Sequence, residues 1–167
     1  MVAIPFFGLI YQKVETLNRA IDMVGSLFDE QPVLSNESPF DITDYYEPEF
    51  GRDLKRRWCG FGESIPADQI LNLKLKSINF EQELAENGKR TVNIDPGIIQ
   101  LNRVVLATHK DAAHRIYLGQ GIFVELILLY EKGTFRPLPW TYPDYQWPET
   151  IEFFNSLRNR LKEMADV

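Results

Sequence analysis

A continuous run of apolar residues near the start of the chain constrains the fold more than any other feature. Residues 3–11 read AIPFFGLIY, without a charged side chain among them. A strand that is apolar at every position is covered on both faces, because successive side chains point to opposite sides of a sheet. The run is also far shorter than the roughly 20 apolar residues that span a membrane. It therefore predicts a buried central strand.

Strand and helix patterns alternate along the rest of the chain. Apolar residues at steps of three and four indicate helices, and short apolar or alternating runs indicate strands. The predicted strands are 3–11, 31–34, 54–63, 90–94, 114–118, 122–131 and 134–138. The predicted helices are 14–28, a segment between 64 and 88, 95–108 and a last helix from about 149.

The third predicted helix depends on three local features. Asp95 is a typical N-cap residue, Pro96 suits the first turn of a helix, and Ile98, Leu101 and Val105 are spaced as one buried stripe. The segment is therefore predicted to be a helix that ends near Thr108.

The predicted order of elements is β-α-β-β-α-β-α-β-β-(β)-α, and its first half matches a split β-α-β, or ferredoxin-like, unit. A chain of 167 residues has the size of one domain. We therefore predict a single α+β domain over residues 1–167 with a mostly antiparallel sheet. A ferredoxin-like first half would be followed by an extra helix, a C-terminal hairpin and a last helix.

Composition and missing motifs exclude several classes of protein. With 18 basic and 24 acidic residues the net charge is −6, which argues against a broad nucleic-acid or anionic membrane surface. A single cysteine excludes an intrachain disulfide and a four-cysteine zinc site. Neither a signal peptide nor a P-loop, dinucleotide or nucleophile-elbow motif is present. We expect a soluble cytoplasmic protein without a membrane segment, a zinc ion or another cofactor.

Four segments carry side chains that could bind or act on a ligand. The first is a predicted loop over residues 40–47, which contains Asp41, Thr43, Asp44, Tyr45 and Tyr46. Its carboxylates could weakly hold a divalent ion such as magnesium, or take part in acid–base chemistry. A solvated acidic loop whose tyrosines cover the edge of the core fits the same pattern.

The second segment contains Asn93, Asp95 and Gly97. The N-terminus of the helix predicted there would expose N–H groups that can hold an anion. Gly97 would let a ligand approach the backbone closely. A helix cap is the stronger interpretation of Asp95.

The third segment, residues 108–117, contains Lys110, Asp111, His114 and Arg115. His114 could be a general base or a metal ligand, although a lone histidine is more often structural. Glu125 is the only charged residue in the apolar run 122–130, so it needs a partner if that strand is buried. We expect it to meet Arg115 or His114, either as a structural ion pair or as part of a polar site.

The fourth segment contains Trp140, Tyr142 and Asp144 beside stiffening prolines. Its rings could form the aromatic wall of a pocket. Alternatively, the same rings fix this loop to the core.

Together the strings PFDITDYYEPEFG, VNIDPG, LATHKDAAHRIYLGQGI and WTYPDY resemble the prokaryotic family called domain of unknown function 4416. The resemblance extends from the first predicted strand to the last predicted helix. It implies a bacterial or archaeal cytoplasmic protein and carries over no established activity or cofactor. The recurrent positions that it implies are Thr43, Tyr45, Tyr46, Asn93, Asp95, Gly97, Lys110, Asp111, His114, Arg115, Glu125, Trp140, Tyr142, Pro143 and Asp144.

Three functions fit these features. The first is an enzyme or binding protein for a small polar or phosphorylated molecule, with catalytic candidates Lys110, Asp111, His114, Arg115 and Glu125. The second is a non-catalytic adaptor that presents its acidic and tyrosine-rich loops to a protein partner. The third is an RNA-binding module, which needs a basic aromatic sheet face that the net charge of −6 disfavours.

Overall fold

The structure is a computed structural model, and it describes residues 1–165. Its strands are β1 (Val2–Tyr11), β2 (Val33–Leu34), β3 (Ser38–Pro39), β4 (Lys55–Gly60), β5 (Ile65–Pro66), β6 (Val92–Ile99), β7 (Arg103–Thr108), β8 (Ile116–Gly119), β9 (Ile122–Glu131) and β10 (Thr134–Pro137). Its helices are α1 (Val14–Gly25), α2 (Glu47–Phe50), α3 (Ile70–Glu83) and α4 (Pro148–Ala165), with 3-10 turns at Ala67–Gln69 and Pro143–Gln146. None of the helices within residues 1–165 is long and apolar enough to cross a membrane.

The strands form one antiparallel sheet in the order β10-β9-β7-β6-β1-β4-β2. The short strands β3, β5 and β8 pair with β4, β1 and β9 respectively. The predicted α+β class with a mostly antiparallel sheet is confirmed. Within this sheet, α1 connects β1 to β2 and α3 follows β4 before β6, and each connection passes over one intervening strand. This is the split β-α-β arrangement predicted for the first half.

Strand β1 is buried on both faces, as its apolar run predicts. Phe7, Leu9 and Tyr11 pack with residues of α1 and α3 on one side. Ile4 and Phe6 pack with α4 on the other. Helices therefore cover both faces of the sheet, and β1 lies in the middle of a three-layer structure.

The helix predicted over residues 95–108 is wrong, because two strands occupy that segment. β6 extends to Ile99, and β7 begins at Arg103 after a short turn. The spacing of Ile98, Leu101 and Val105 fits a helix, yet Leu101 lies in the turn and is 39% exposed. The adjacent β-branched pairs in this segment suit strands that are covered on both faces. Asp95 is consequently a strand residue, and the helix N-terminus proposed as an anion site does not exist.

Candidate functional site

The candidate site lies where β6 and β7 separate. β6 pairs with β1 along its whole length. It pairs with β7 only over residues 97–99, from Gly97↔Leu106 to Ile99↔Val104. Beyond Leu106, β7 stays paired with β9 as far as Thr108. Pro96 lies at the point of separation, and a proline has no N–H to donate to a neighbouring strand. The sheet therefore opens between these two strands.

A cavity of about 690 Å³ occupies this opening, a volume that suits a small organic ligand. We call its buried lining residues the floor, its half-buried ones the wall and its exposed ones the rim. The floor consists of Ile10, Phe40, Arg56, Lys74, Glu81, Asn93, Leu106, Glu125, Asp144 and Tyr145. The wall consists of Ile42, Tyr46, Ile78, Arg90, Asp95, Thr108 and Arg115. The rim consists of Thr43, Tyr45, Gln82, His109, Lys110, Tyr142 and Pro143.

Arg56 places a buried guanidinium on the floor. The residue is 2% exposed, and its guanidinium carbon lies 4.1 Å from the ring centroid of Trp58. Nε lies 3.0 Å from the carboxylate of Asp144, an ion pair that lacks the angles of a hydrogen bond. A side chain at Gly8 would come within 3.0 Å of the same guanidinium, so the glycine provides its space. Within residues 1–165, Nη1 of Arg56 has no hydrogen-bond partner.

Every acidic residue of the floor and wall faces a cation. Besides Arg56 and Asp144, the pairs are Lys74 with Asp95 at 3.5 Å, Arg90 with Glu81 at 3.0 Å and Arg115 with Glu125 at 3.1 Å. Burial raises the pKa of Asp144 and of Glu81, against the opposing charges of Arg56 and of Lys74. Buried charges with perturbed pKa values that converge on one cavity are typical of functional sites.

Side chains from α3 contact the half of β6 that does not pair with β7. Glu81 accepts a hydrogen bond from the backbone N–H of Ile94 at 2.9 Å. Asp95 accepts one from Nδ2 of Asn93 at 2.6 Å and faces Lys74. Asp95 retains 22% of its side-chain exposure, so its carboxylate stays accessible from the cavity.

Glu125 meets both of its expected partners. Its Oε2 accepts a hydrogen bond from Nε of Arg115 at 3.1 Å and lies 2.5 Å from Nε2 of His114. The imidazole of His114 stacks on Trp140, with 5.4 Å between ring centroids. Nε1 of Trp140 in turn donates to the backbone carbonyl of Leu126 at 2.7 Å. His114 therefore supports Glu125 from outside the cavity lining.

The rim connects three segments that are distant in the sequence. Nζ of Lys110 donates to the hydroxyl of Tyr45 at 2.7 Å and lies 4.3 Å from the centre of that ring. Arg115 donates from Nη1 to the backbone carbonyl of Lys110 at 2.9 Å, and from Nη2 to the hydroxyl of Tyr142 at 3.4 Å. The loop before α2, the loop after β7 and the segment before α4 thus meet at the opening.

The cavity brings together most of the residues proposed from the sequence. Those that line it are Thr43, Tyr45, Tyr46, Asn93, Asp95, Lys110, Arg115, Glu125, Tyr142 and Asp144. Those that do not are Asp41, Asp44, Gly97, Asp111, His114 and Trp140. Asp41, Asp44 and Asp111 are exposed. Gly97 is buried against the Phe6 ring, and a Cβ there would lie 2.7 Å from the carbonyl oxygen of Val105, so this glycine serves packing.

Three buried charged residues of the site were missed by sequence reasoning: Arg56, Lys74 and Glu81. Arg56 lies two residues before Trp58 in a strand, so the two side chains share a face, but Lys55 and Arg57 on either side of it give no local sign that this charge is buried. Lys74 and Glu81 are seven residues apart on α3, on one helix face. Within residues 1–165, no three His, Cys, Asp or Glu side chains come together as a possible metal site.

Comparison with known proteins gives a family and no named relative. No curated protein and no solved structure matches the chain. The model of the family described as domain of unknown function (DUF4416) matches residues 2–161 of the 167. This range includes every cavity residue and all four strings on which the resemblance depends. The chain belongs to the DUF4416 family.

Proposed function

We propose that this protein binds a small organic molecule that carries an oxyanion, either a carboxylate or a phosphate, in the cavity between β6 and β7. The observation that carries the proposal is the buried Nη1 of Arg56, which lacks a hydrogen-bond partner among residues 1–165. Leaving a buried polar group unsatisfied costs about 1–3 kcal/mol, and more for a charged group. An oxyanion that reaches the floor would accept a hydrogen bond from Nη1 and remove that cost.

The charge of the rim supports the entry of an anion. Lys110 is exposed there, and none of the acidic residues within the described part of the chain lies on this rim. The chain as a whole carries a net charge of −6, which would repel an anion from most of its surface. A local cation at a cavity opening favours the approach of an anionic ligand against that background.

The ion pairs of the floor leave Arg56 available. Asp144 neutralises its charge through a contact at Nε, and Tyr145 accepts a hydrogen bond from Nη2 at a long 3.4 Å. A guanidinium has five N–H donors in a fixed plane, and carboxylates and phosphates match pairs of them. Arg56 can therefore keep its contact with Asp144 while it binds a ligand oxyanion through Nη1.

The experiment compares two variants of the ion pair. Acetate and inorganic phosphate are titrated at constant ionic strength against the full chain, and the melting temperature is recorded with chloride as the reference salt. Arg56→Gln alone would leave Asp144 buried and unpaired, so it is combined with Asp144→Asn, which removes both charges. The single variant Asp144→Asn retains the Arg56 guanidinium without its carboxylate, so it is the control that separates loss of Arg56 from loss of the ion pair.

We expect the wild type and Asp144→Asn to be stabilised by at least one of the two anions. The double variant should bind that anion about tenfold more weakly, because a charge-assisted hydrogen bond contributes about 1.5–3 kcal/mol. If the double variant binds it as tightly as the wild type, Arg56 is not the oxyanion site. If neither anion nor its organic derivatives stabilise the wild type, the proposed function is wrong.

A further inference from the structure

We infer that the bound molecule also carries a planar aromatic ring, which contacts Tyr45 and Tyr142 at the rim while its oxyanion is bound at Arg56. This inference rests on the proposed function and specifies the ligand class of the same cavity. It depends on where aromatic, apolar and charged side chains lie along the depth of the cavity. The ligand class is therefore an aryl carboxylate or an aryl phosphate.

Two exposed tyrosine rings line the opening. Tyr45 is 59% exposed and Tyr142 is 50% exposed, and both line the cavity. A side chain that is both exposed and cavity-lining lies where the cavity meets solvent. Tyrosine presents a large aromatic face with little rotamer freedom to lose, so rings at an opening suit stacking or edge contacts with a planar ligand.

An exposed tyrosine does not necessarily line the cavity, as a third tyrosine shows. Tyr117 is also 59% exposed, but it does not line the cavity. Its hydroxyl accepts a hydrogen bond from the backbone N–H of Gly121 within its own hairpin. Tyr117 is therefore a matched control for the two rim tyrosines.

The rim rings are held in place before a ligand arrives. Tyr45 contacts the ammonium of Lys110 and packs edge-on against Tyr46, with 5.0 Å between ring centroids. The hydroxyl of Tyr142 accepts a hydrogen bond from Arg115, which also bonds the backbone of Lys110. Positioned rings lose less conformational entropy on binding, so they favour affinity for a rigid planar group.

Part of the wall, which lies between the floor and the rim, suits hydrocarbon. Ile42 and Ile78 line it beside the half-buried ring of Tyr46, and Leu106 adds an apolar side chain on the floor. The other wall residues are polar or charged. A bare acetate or phosphate would fill only a small part of a cavity of about 690 Å³. A molecule with an oxyanion at one end, an apolar middle and a ring at the other would match the lining along its depth.

The test uses carboxylates of increasing length, because the ligand must reach from Arg56 to the rim. Phenylacetate, phenylpropionate and phenylpentanoate are each compared with the cyclohexyl acid of the same length and with the unsubstituted acid. Phenyl phosphate is compared with inorganic phosphate, which separates the two sources of the oxyanion. Affinities are measured by calorimetry on the full chain and on Tyr45→Ala, Tyr142→Ala, the corresponding Phe variants and Tyr117→Ala.

We expect one phenyl compound to bind at least about tenfold more tightly than its unsubstituted partner, and more tightly than any cyclohexyl analogue. Each rim Ala variant should weaken the phenyl compound about three- to tenfold, in line with the strength of single aromatic pairs. The same variants should weaken acetate or phosphate binding less than they weaken the phenyl compound. Tyr45→Phe and Tyr142→Phe should retain the ring preference, and Tyr117→Ala should have no effect.

Two results would overturn the inference while leaving the oxyanion site intact. One is equal affinity for phenyl and cyclohexyl compounds, which would indicate an apolar rather than an aromatic contact. The other is a rim Ala variant that weakens the bare anion as much as the phenyl compound. Failure of the proposed function looks different, since then the Arg56→Gln/Asp144→Asn variant would bind every probe as the wild type does.

Discussion

Glu125 is the residue whose environment could be predicted best from the sequence. It is the only charge in an apolar strand, and a buried carboxylate requires a partner. Both expected partners bind it, because Arg115 and His114 come from the segment that turns back onto β9. The side chain is 2% exposed and also lines the cavity. Glu125 is thus both a member of a structural ion pair and a residue of the candidate site.

We predict that Glu125→Gln destabilises the protein by about 3 kcal/mol. The change leaves the Arg115 guanidinium without its carboxylate, and breaking a buried pair costs about 3–5 kcal/mol. The lower end applies because Arg115 keeps its bonds to Lys110 and Tyr142. Urea denaturation measures the difference, with the exposed Glu131→Gln on the same strand as control. A change below about 0.5 kcal/mol would show that the pair contributes little.

Arg56 could not be identified in the same way. It is flanked by Lys55 and Arg57, so the local sequence looks like a solvated basic segment. Only the register of β4 against β1, which pairs Ile10 with Arg56, places this one side chain on the buried face. Likewise, nothing local distinguishes Asp41, which is exposed, from Asp144, which is buried. Burial of a single charge is decided by elements far away in the sequence.

At the scale of elements, most of the long helices and strands could be predicted, and the one wrong long element is the helix over residues 95–108. The short elements β3, α2 and β5 were not predicted. An N-cap residue followed by proline is a strong local helix signal. It was overridden because β6 and β7 fit between β1 and β9 and bury apolar side chains on both faces. Intrinsic propensity is a weak prior where tertiary pairing offers more burial. The separation of the two strands next to Pro96 then forms the cavity, which no isolated segment predicts.

The close approach of β6 to its neighbours gives a prediction for Gly97→Ala. The new methyl group would collide with the Phe6 ring and lie 2.7 Å from the carbonyl oxygen of Val105, a backbone atom that cannot move cheaply. We expect a loss of about 1–3 kcal/mol, as for other overpacked cores.

The control for that substitution is Gly25→Ala in α1, where a Cβ would meet nothing within 4 Å. It should be neutral or stabilise the protein by about 0.4–1 kcal/mol through the unfolded state. Chemical denaturation of both variants compares the two positions directly. Equal stability of Gly97→Ala and the wild type would mean that β6 can shift away from β1 and β7.

At the scale of the whole molecule, the sheet has a ferredoxin-like half, β6-β1-β4-β2, extended by β7, β9 and β10. The cavity lies at the junction of these two parts. Its floor collects charges from β4, α3, β9 and the segment before α4. Of these segments, the four strings of the sequence include only the one before α4, together with the first residue of β9. The convergence of all four segments depends on the complete topology. The fold thus concentrates ionisable groups that influence the stability of the entire chain.

The last prediction concerns the dependence of that stability on pH. Burial raises the pKa of Asp144 in the folded protein above its ordinary value of 3.8, despite the opposing charge of Arg56. Between pH 3.8 and the raised pKa, the folded state therefore binds more protons than the unfolded state. The contribution of Asp144 to the free energy of unfolding falls as the pH rises through this interval. Glu49 has the opposite sign, since the hydrogen bond from Arg90 lowers its pKa and its stabilising contribution is lost at low pH.

Asp144→Asn isolates the contribution of the one buried carboxyl. Asparagine resembles the protonated acid at every pH. The free energy of unfolding of the wild type minus that of the variant should therefore have its most positive value near pH 4. As the pH rises from about 4 to 7, the free energy of unfolding of the wild type should fall relative to that of the variant. Urea denaturation at intervals across this range measures the difference, and Glu152→Gln, on the exposed side of α4, should show no such trend. A difference that stays constant, or that grows in favour of the wild type as the pH rises, would mean that the contact with Arg56 outweighs burial and keeps Asp144 readily ionised.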